Sequence, residues 1–227
     1  MLRGASIGDR DLTRKVKGVL VAASLALLLA LLLWGCGKPK ETPVERAERL
    51  LLKDDAASLQ EAKSALREAL AANPQAARIH ALLGTAYLRE AKSEPSRDKL
   101  EEIYNLAIAE LEKALELYGQ AGAPVEVYQQ LIDVCGERAL LPKRFHVEKD
   151  VKVGVGPWEV KAMEKAIKTF EAGRARFPDN PAFTAEKVKA LQNELAALKA
   201  LYVENVHRAW ASRPSGFIPP EEYSKVR

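Results

Sequence analysis

Apolar residues recur along most of the chain at steps of three and four, the spacing that places them on one face of an α-helix. Thr42-Pro43-Val44-Glu45 combines an N-cap residue, a proline at the first helical position and a glutamate placed for a capping box, so a helix is expected from residue 43. Ser58-Leu59-Gln60-Glu61 repeats the capping-box pattern one short connection later. Helices over about 43–53 and 59–72 then form a first hairpin. After Asn180-Pro181, the positions Val188, Leu191, Leu195, Leu198 and Tyr202 predict one long helix over about 181–209. Such a helix suits the exposed end of a helical array, with a coiled-coil seam as the alternative. The segment 210–227 holds Pro214, Pro219 and Pro220 and reads as a helix-breaking tail.

Two other stretches break the pattern. Val19 to Trp34 is continuously apolar, follows a basic stretch ending at Lys17, and runs into Gly35-Cys36-Gly37. That is the layout of a secretory signal segment over residues 1–35. The segment 141–157, LPKRFHVEKDVKVGVGP, alternates Val151, Val153 and Val155 with Lys152, Gly154 and Gly156, a period-2 signal for a small hairpin or extended arm. Inserts of this length in compact domains are often functional.

A small-residue pattern repeats between these breaks. Ala62-x3-Leu66-x2-Ala69 is followed by Pro74, Ala107-x3-Leu111-x2-Ala114 ends near Gly119, and Ala166-x3-Phe170-x2-Gly173 is followed by Pro178. These resemble the second helix of a tetratricopeptide repeat (TPR), where small residues let paired helices approach closely. His80-x2-Leu83-Gly84-x2-Tyr87 resembles the family's first-helix signature except at His80, and Tyr128-x2-Leu131-Ile132-x2-Cys135 is a version without the glycine. The resemblance covers about residues 43–207. It implies an all-α fold: a right-handed solenoid of TPR-like antiparallel helix hairpins, closed by the long C-terminal helix. The spacing departs from the family's period of about 34 residues, with the first excess falling around Ser93 to Ser96 and the second at 141–157.

The junction Leu33-Trp34-Gly35-Cys36 resembles the lipobox of bacterial lipoproteins, with Trp34 standing where that family places a smaller residue. This resemblance implies cleavage before Cys36, a covalent lipid on Cys36, and a short tether over 36–42. Gly37 is not the aspartate that retains such proteins in the inner membrane, so a periplasm-facing place on the outer membrane is favoured. The alternative is an uncleaved anchor in the inner membrane, since a run of this length is near the lower limit for a span. The linker 37–42 reaches roughly 20 Å at about 3.3–3.6 Å per residue, so the folded part lies close to the membrane.

Composition supports helices: aromatic residues are 6% of the chain, and Ala, Leu, Glu and Lys dominate. The formal net charge is +4, but Arg3, Arg10, Arg14, Lys15 and Lys17 against Asp9 and Asp11 supply most of it within the signal segment. The remainder lacks the clustered basic stripe that phosphate binding requires, which argues against a nucleic-acid partner.

Candidate chemistry is sparse. His80, His146 and His207 are not at metal-ligand spacing, and Cys135 reads as a buried thiol. No CxxC, phosphate-binding glycine loop or GxSxG elbow occurs. Neither a catalytic site, a metal, a small-molecule substrate nor a cofactor other than the lipid is expected. By resemblance, the inner groove of such an array is lined by outward positions of the first helices, here Arg78, Thr85 and Arg89, followed by Glu126, Gln129, Asp133 and Glu137. The expected function is a non-catalytic protein–protein interaction scaffold or assembly factor of the bacterial cell envelope, with a protein partner near the membrane. A permanent structural subunit of a membrane complex is the alternative, and a cell-wall enzyme a more distant one.

Overall fold

The computed structural model describes residues 41–53, 55–119, 122–145 and 155–211, and the residues from Pro43 onward form one compact unit. The described residues form seven α-helices and no strand: α1 (Pro43–Leu51), α2 (Ala56–Ala72), α3 (Ala77–Ser93), α4 (Arg97–Tyr118), α5 (Val125–Phe145), α6 (Pro157–Arg176) and α7 (Ala185–Ala211). The fold is all-α, as the periodicity predicts. The segment 1–35 expected to be a signal, Cys36 and the tail 212–227 lie outside the described residues.

Local chemistry sets the helix ends. Pro43 opens α1. Asp55 Oδ1 accepts the backbone N–H of Ser58 at 2.7 Å and so caps α2. Asp55 therefore replaces Ser58 as the cap, and the helix starts at Ala56 rather than 59. Its aspartate wins because Ser58 is needed inside the helix, where it is buried. Gly119, at φ 48°, ends α4 with its N–H on the Leu115 carbonyl. Pro157 and Glu159 start α6, with Glu159 Oε2 accepting the Gly156 N–H at 2.8 Å.

Two boundaries differ from the sequence expectation. The long helix begins at Ala185, not 181, because Asn180 Oδ1 accepts the Ala182 N–H at 2.9 Å and closes a turn first. The helix α5 takes in residues 141–145 of the predicted insert, since Leu141, at 1% exposure, continues the buried face of Leu131, Val134, Cys135 and Ala139. The alternating segment 146–154 lies outside the described residues. Its last valine neighbour, Val155, is buried and its carbonyl accepts from Asn205 Nδ2 of α7 at 3.3 Å.

Each helix packs against its chain neighbours, and α1 with α3 and α3 with α5 make the only further seams of note among the described residues. Short connections make consecutive helices antiparallel, as cross-links between early and late positions show. Lys63 pairs with Glu90 at 2.6 Å across α2 and α3, and Lys199 with Glu164 at 2.8 Å across α7 and α6. The core is one cluster built from facing stripes of these helices. All nine positions of the repeated small-residue pattern are buried, and they fall on α2, α4 and α6, the second member of each pair.

His80 and Cys135 take packing roles, His207 is exposed on α7, and His146 lies outside the described residues. His80 is buried, with Nδ1 at 2.6 Å from Glu110 Oε2 and Nε2 at 3.1 Å from the Pro74 carbonyl. It ties the α2–α3 turn to α4. Cys135 is fully buried and unpaired as a thiol, and desolvation pushes its pKa up to about 12. Arg138, 4% exposed, joins three helices: it donates to Glu159 Oε1 at 2.9 Å, to Glu101 and to Asn105.

Candidate interaction groove

Helix α5 carries a bare face. Gln129, Ile132, Asp133, Gly136 and Leu140 follow one another at helical spacing and line a cleft of about 530 Å³. Its far wall is α7, through Lys187, Ala190, Leu191 and Glu194, and its floor reaches Met163 and Phe170 of α6. On the other side of the same stripe a second cleft, about 460 Å³, is lined by Ala91 and Lys92 of α3, Tyr104 of α4 and Glu137 of α5. The two share Ile132, Asp133, Gly136, Leu140 and Leu191, so they form one trough that crosses from α3 over α5 to α7.

The trough exists because α7 packs on α6 and makes no comparable seam with α5. Four rings in three contacts fix that α6–α7 corner: Phe177 meets Tyr128 edge-on at 5.9 Å, Phe183 meets Phe170 edge-on at 5.5 Å, and Phe177 stacks on Phe183 at 6.2 Å. Gly173 permits the approach, since a Cβ there would lie 2.5 Å from the Phe183 ring. Turned by this corner, α7 stands away from α5 and leaves the α5 stripe open.

Gly136 lies at the centre of that stripe. A Cβ built on it would meet no atom within 4 Å. Helix-interior glycine costs about 1 kcal/mol relative to alanine, and nothing among the described residues requires it here. Its effect is to leave helical backbone accessible on the trough floor.

The predicted groove residues divide by helix. On α3, Arg78 pairs with Glu48 of α1 at 2.5 Å, and Arg89 donates to the Leu51 carbonyl at the end of α1. The Thr85 hydroxyl donates to the Ala81 carbonyl at 2.9 Å and sits 3.0 Å from the Gln130 side-chain amide. These three bind α3 to its neighbours. On α5, Gln129, Asp133 and Glu137 line the trough, and Glu126 is exposed one turn earlier.

The sequence reading missed the apolar floor and the α7 wall. The spacing Ile132-x3-Gly136-x3-Leu140 carried a signal for the floor, because an apolar stripe interrupted by glycine lies directly beside Asp133. The wall had none, since reading α7 as an end cap assigns its apolar stripe to packing.

Electrostatics across the trough are uneven. Asp133 is exposed on its outer side, yet the cleft walls desolvate it and raise its pKa above the ordinary carboxylate value; Glu137, one turn on, raises it further. Lys187 acts in the opposite direction, but its ammonium donates to the Pro181 carbonyl at 3.3 Å. Among the described residues no group of three or more histidine, cysteine, aspartate or glutamate side chains is arranged to hold a metal ion. No helix among the described residues is long and apolar enough to cross a membrane.

Compared with protein-family models, with curated proteins and with solved structures, the chain matches none.

Proposed function

We propose that this chain is a non-catalytic protein–protein interaction scaffold or assembly factor, tethered near the bacterial envelope membrane through Cys36, whose trough over α5 holds a segment of a partner protein. The observation that carries the reading is the trough itself: an apolar floor of Ile132, Leu140, Leu191 and Met163, bordered by polar side chains and crossing three helices. An amphipathic helix or extended segment laid there would bury the floor and meet the polar rim. The burial of all nine repeated positions on the second helix of each pair supports the TPR-like solenoid reading of the array. The lipobox-like junction and basic–apolar segment support the tether.

Two measurements test this reading. The mass of the membrane-extracted protein and its N-terminal peptide should match a chain beginning at acylated Cys36; retention of Met1 would make residues 19–34 a membrane anchor instead. A photoreactive residue at position 129, inside the trough, should yield a discrete protein adduct in intact cells. The same residue at position 168, on the opposite α4–α6 surface, should not. Equal adducts from both positions would remove the trough as the binding surface.

A further inference from the structure

Helices α5 and α7 flank α6 and run in the same direction, with Lys187 acting on Asp133 and Leu191 sharing a cleft with Gly136 and Leu140. From Leu191, α7 continues to Ala211, about 30 Å further at 1.5 Å per residue. On the way it carries Leu198 and Leu201 on the face that presents Glu194 to the trough. An apolar track therefore leads from the trough towards the end of α7, and residues 212–227 follow that end. They include Pro214, Pro219 and Pro220, which oppose a continued helix, and the large side chains of Phe217, Ile218 and Tyr223.

We infer that residues 212–227 reverse at Ser212 to Pro214, return along α7 in extended form and occupy the trough of their own chain, with Ile218 against Leu201 and the Tyr223 ring over Gly136. Reach sets this register. At about 3.3 Å per residue, Ile218 lies about 13 Å and Tyr223 about 30 Å beyond Pro214, matching the roughly 15 Å and 30 Å of helix from Ala211 back to Leu201 and Leu191. The floor consists of apolar side chains and of helical backbone whose carbonyls are engaged within α5, so it offers little to a buried N–H group. Pro219 and Pro220 bring no N–H to it. Gly136 leaves a hollow between Ile132 and Leu140, where an added Cβ would meet no atom within 4 Å, and a flat ring fits there with its hydroxyl at the polar rim. Tethering by α7 gives this occupant a millimolar effective concentration, which a separate copy of the chain lacks. The functional consequence rests on the trough being the partner surface, as proposed above: a partner segment must displace 212–227 to enter.

The test uses the full chain in detergent micelles. Gly136→Cys reports the floor through its rate of maleimide labelling, and the buried Cys135 beside it reports unfolding, each read by tandem mass spectrometry. The new thiol should label slowly, and adding Ile218→Ser/Tyr223→Ser should raise its rate by about tenfold or more while Cys135 stays unlabelled. In a second arm, Gly136→Cys/Tyr223→Cys should oxidise to a disulfide within one chain, and Lys168→Cys/Tyr223→Cys, on the opposite surface, should not. Equal labelling with and without the two serine substitutions, whether fast or slow, overturns the inference. A bond joining two chains overturns it as well, because the occupant is then a second copy. Either result leaves the trough as a partner surface to be judged by the adducts at position 129. Protection by the tail with no partner adduct at 129 would instead keep the tail in the trough and remove the proposed function.

Discussion

A Cβ on Gly84 would lie 2.6 Å from Leu111 Cγ, so α3 and α4 meet at a distance only glycine allows. Leu111 is fully buried and cannot swing aside. Gly84→Ala should therefore destabilise the fold by about 1–3 kcal/mol through overpacking, despite alanine's better helix propensity. Gly136→Ala, with nothing within 4 Å of its new methyl, should stabilise by up to about 1 kcal/mol. Urea unfolding of the two variants checks the contrast, and opposite signs are expected.

Arg138 is buried between Glu159 and Glu101, with Glu159 itself only 8% exposed. Arg138→Ala leaves the Glu159 carboxylate without its cation and should cost about 3–5 kcal/mol. Arg138→Met combined with Glu159→Gln should recover much of that loss, because Gln retains an oxygen for the Gly156 N–H. A double-mutant cycle on thermal unfolding measures the coupling; additive losses would show that Arg138 and Glu159 do not stabilise the fold through each other.

The raised pKa of Asp133 gives a pH signature with a definite sign. The folded chain holds this proton more tightly than the unfolded one, so stability falls as pH rises from the unfolded value of 3.8 through the folded pKa. Asp133→Asn should unfold at a higher temperature than the parent at pH 7. The difference should close as pH is lowered below 3.8. A constant difference across that range would assign the effect to packing rather than charge.

Cys135, with its thiol pKa pushed up to about 12, should stay unmodified by iodoacetamide at pH 8 in the folded chain and react at an ordinary thiol rate in denaturant. Peptide mapping reads this residue separately from Cys36. Labelling without denaturant would mean that α5 opens locally.

Much of the fold was legible in the sequence because helix periodicity and small-residue spacing are local signals. The triplets at Ala62, Ala107 and Ala166 mark the buried faces of α2, α4 and α6, where close helix approach demands small side chains. Helix ends were less legible. Asp55 and Ser58 are both good caps, and only the burial of Ser58 decides between them. Of the residues expected in a groove, Gln129, Asp133 and Glu137 line the clefts beside α5 and Glu126 is exposed one turn earlier, whereas Thr85 and Arg89 bond to Gln130 and the Leu51 carbonyl and Arg78 stays largely exposed beside Glu48. Whether Arg89 faces a partner or the Leu51 carbonyl depends on the reach between two helices, which periodicity does not encode.

The α6–α7 corner has a mechanical consequence. The floor of the trough belongs to α5 and its wall to α7, yet the two are joined through α6, with the Phe170, Phe177 and Phe183 rings at the turn. Beyond the turn α7 stays fastened, through the buried Leu198 and Tyr202, the Lys199–Glu164 pair and the Asn205 bond to the Val155 carbonyl. The width of the gap is thus inherited from a third helix that forms neither its floor stripe nor its wall, and a substitution at the ring corner would reshape the trough without touching a residue of α5.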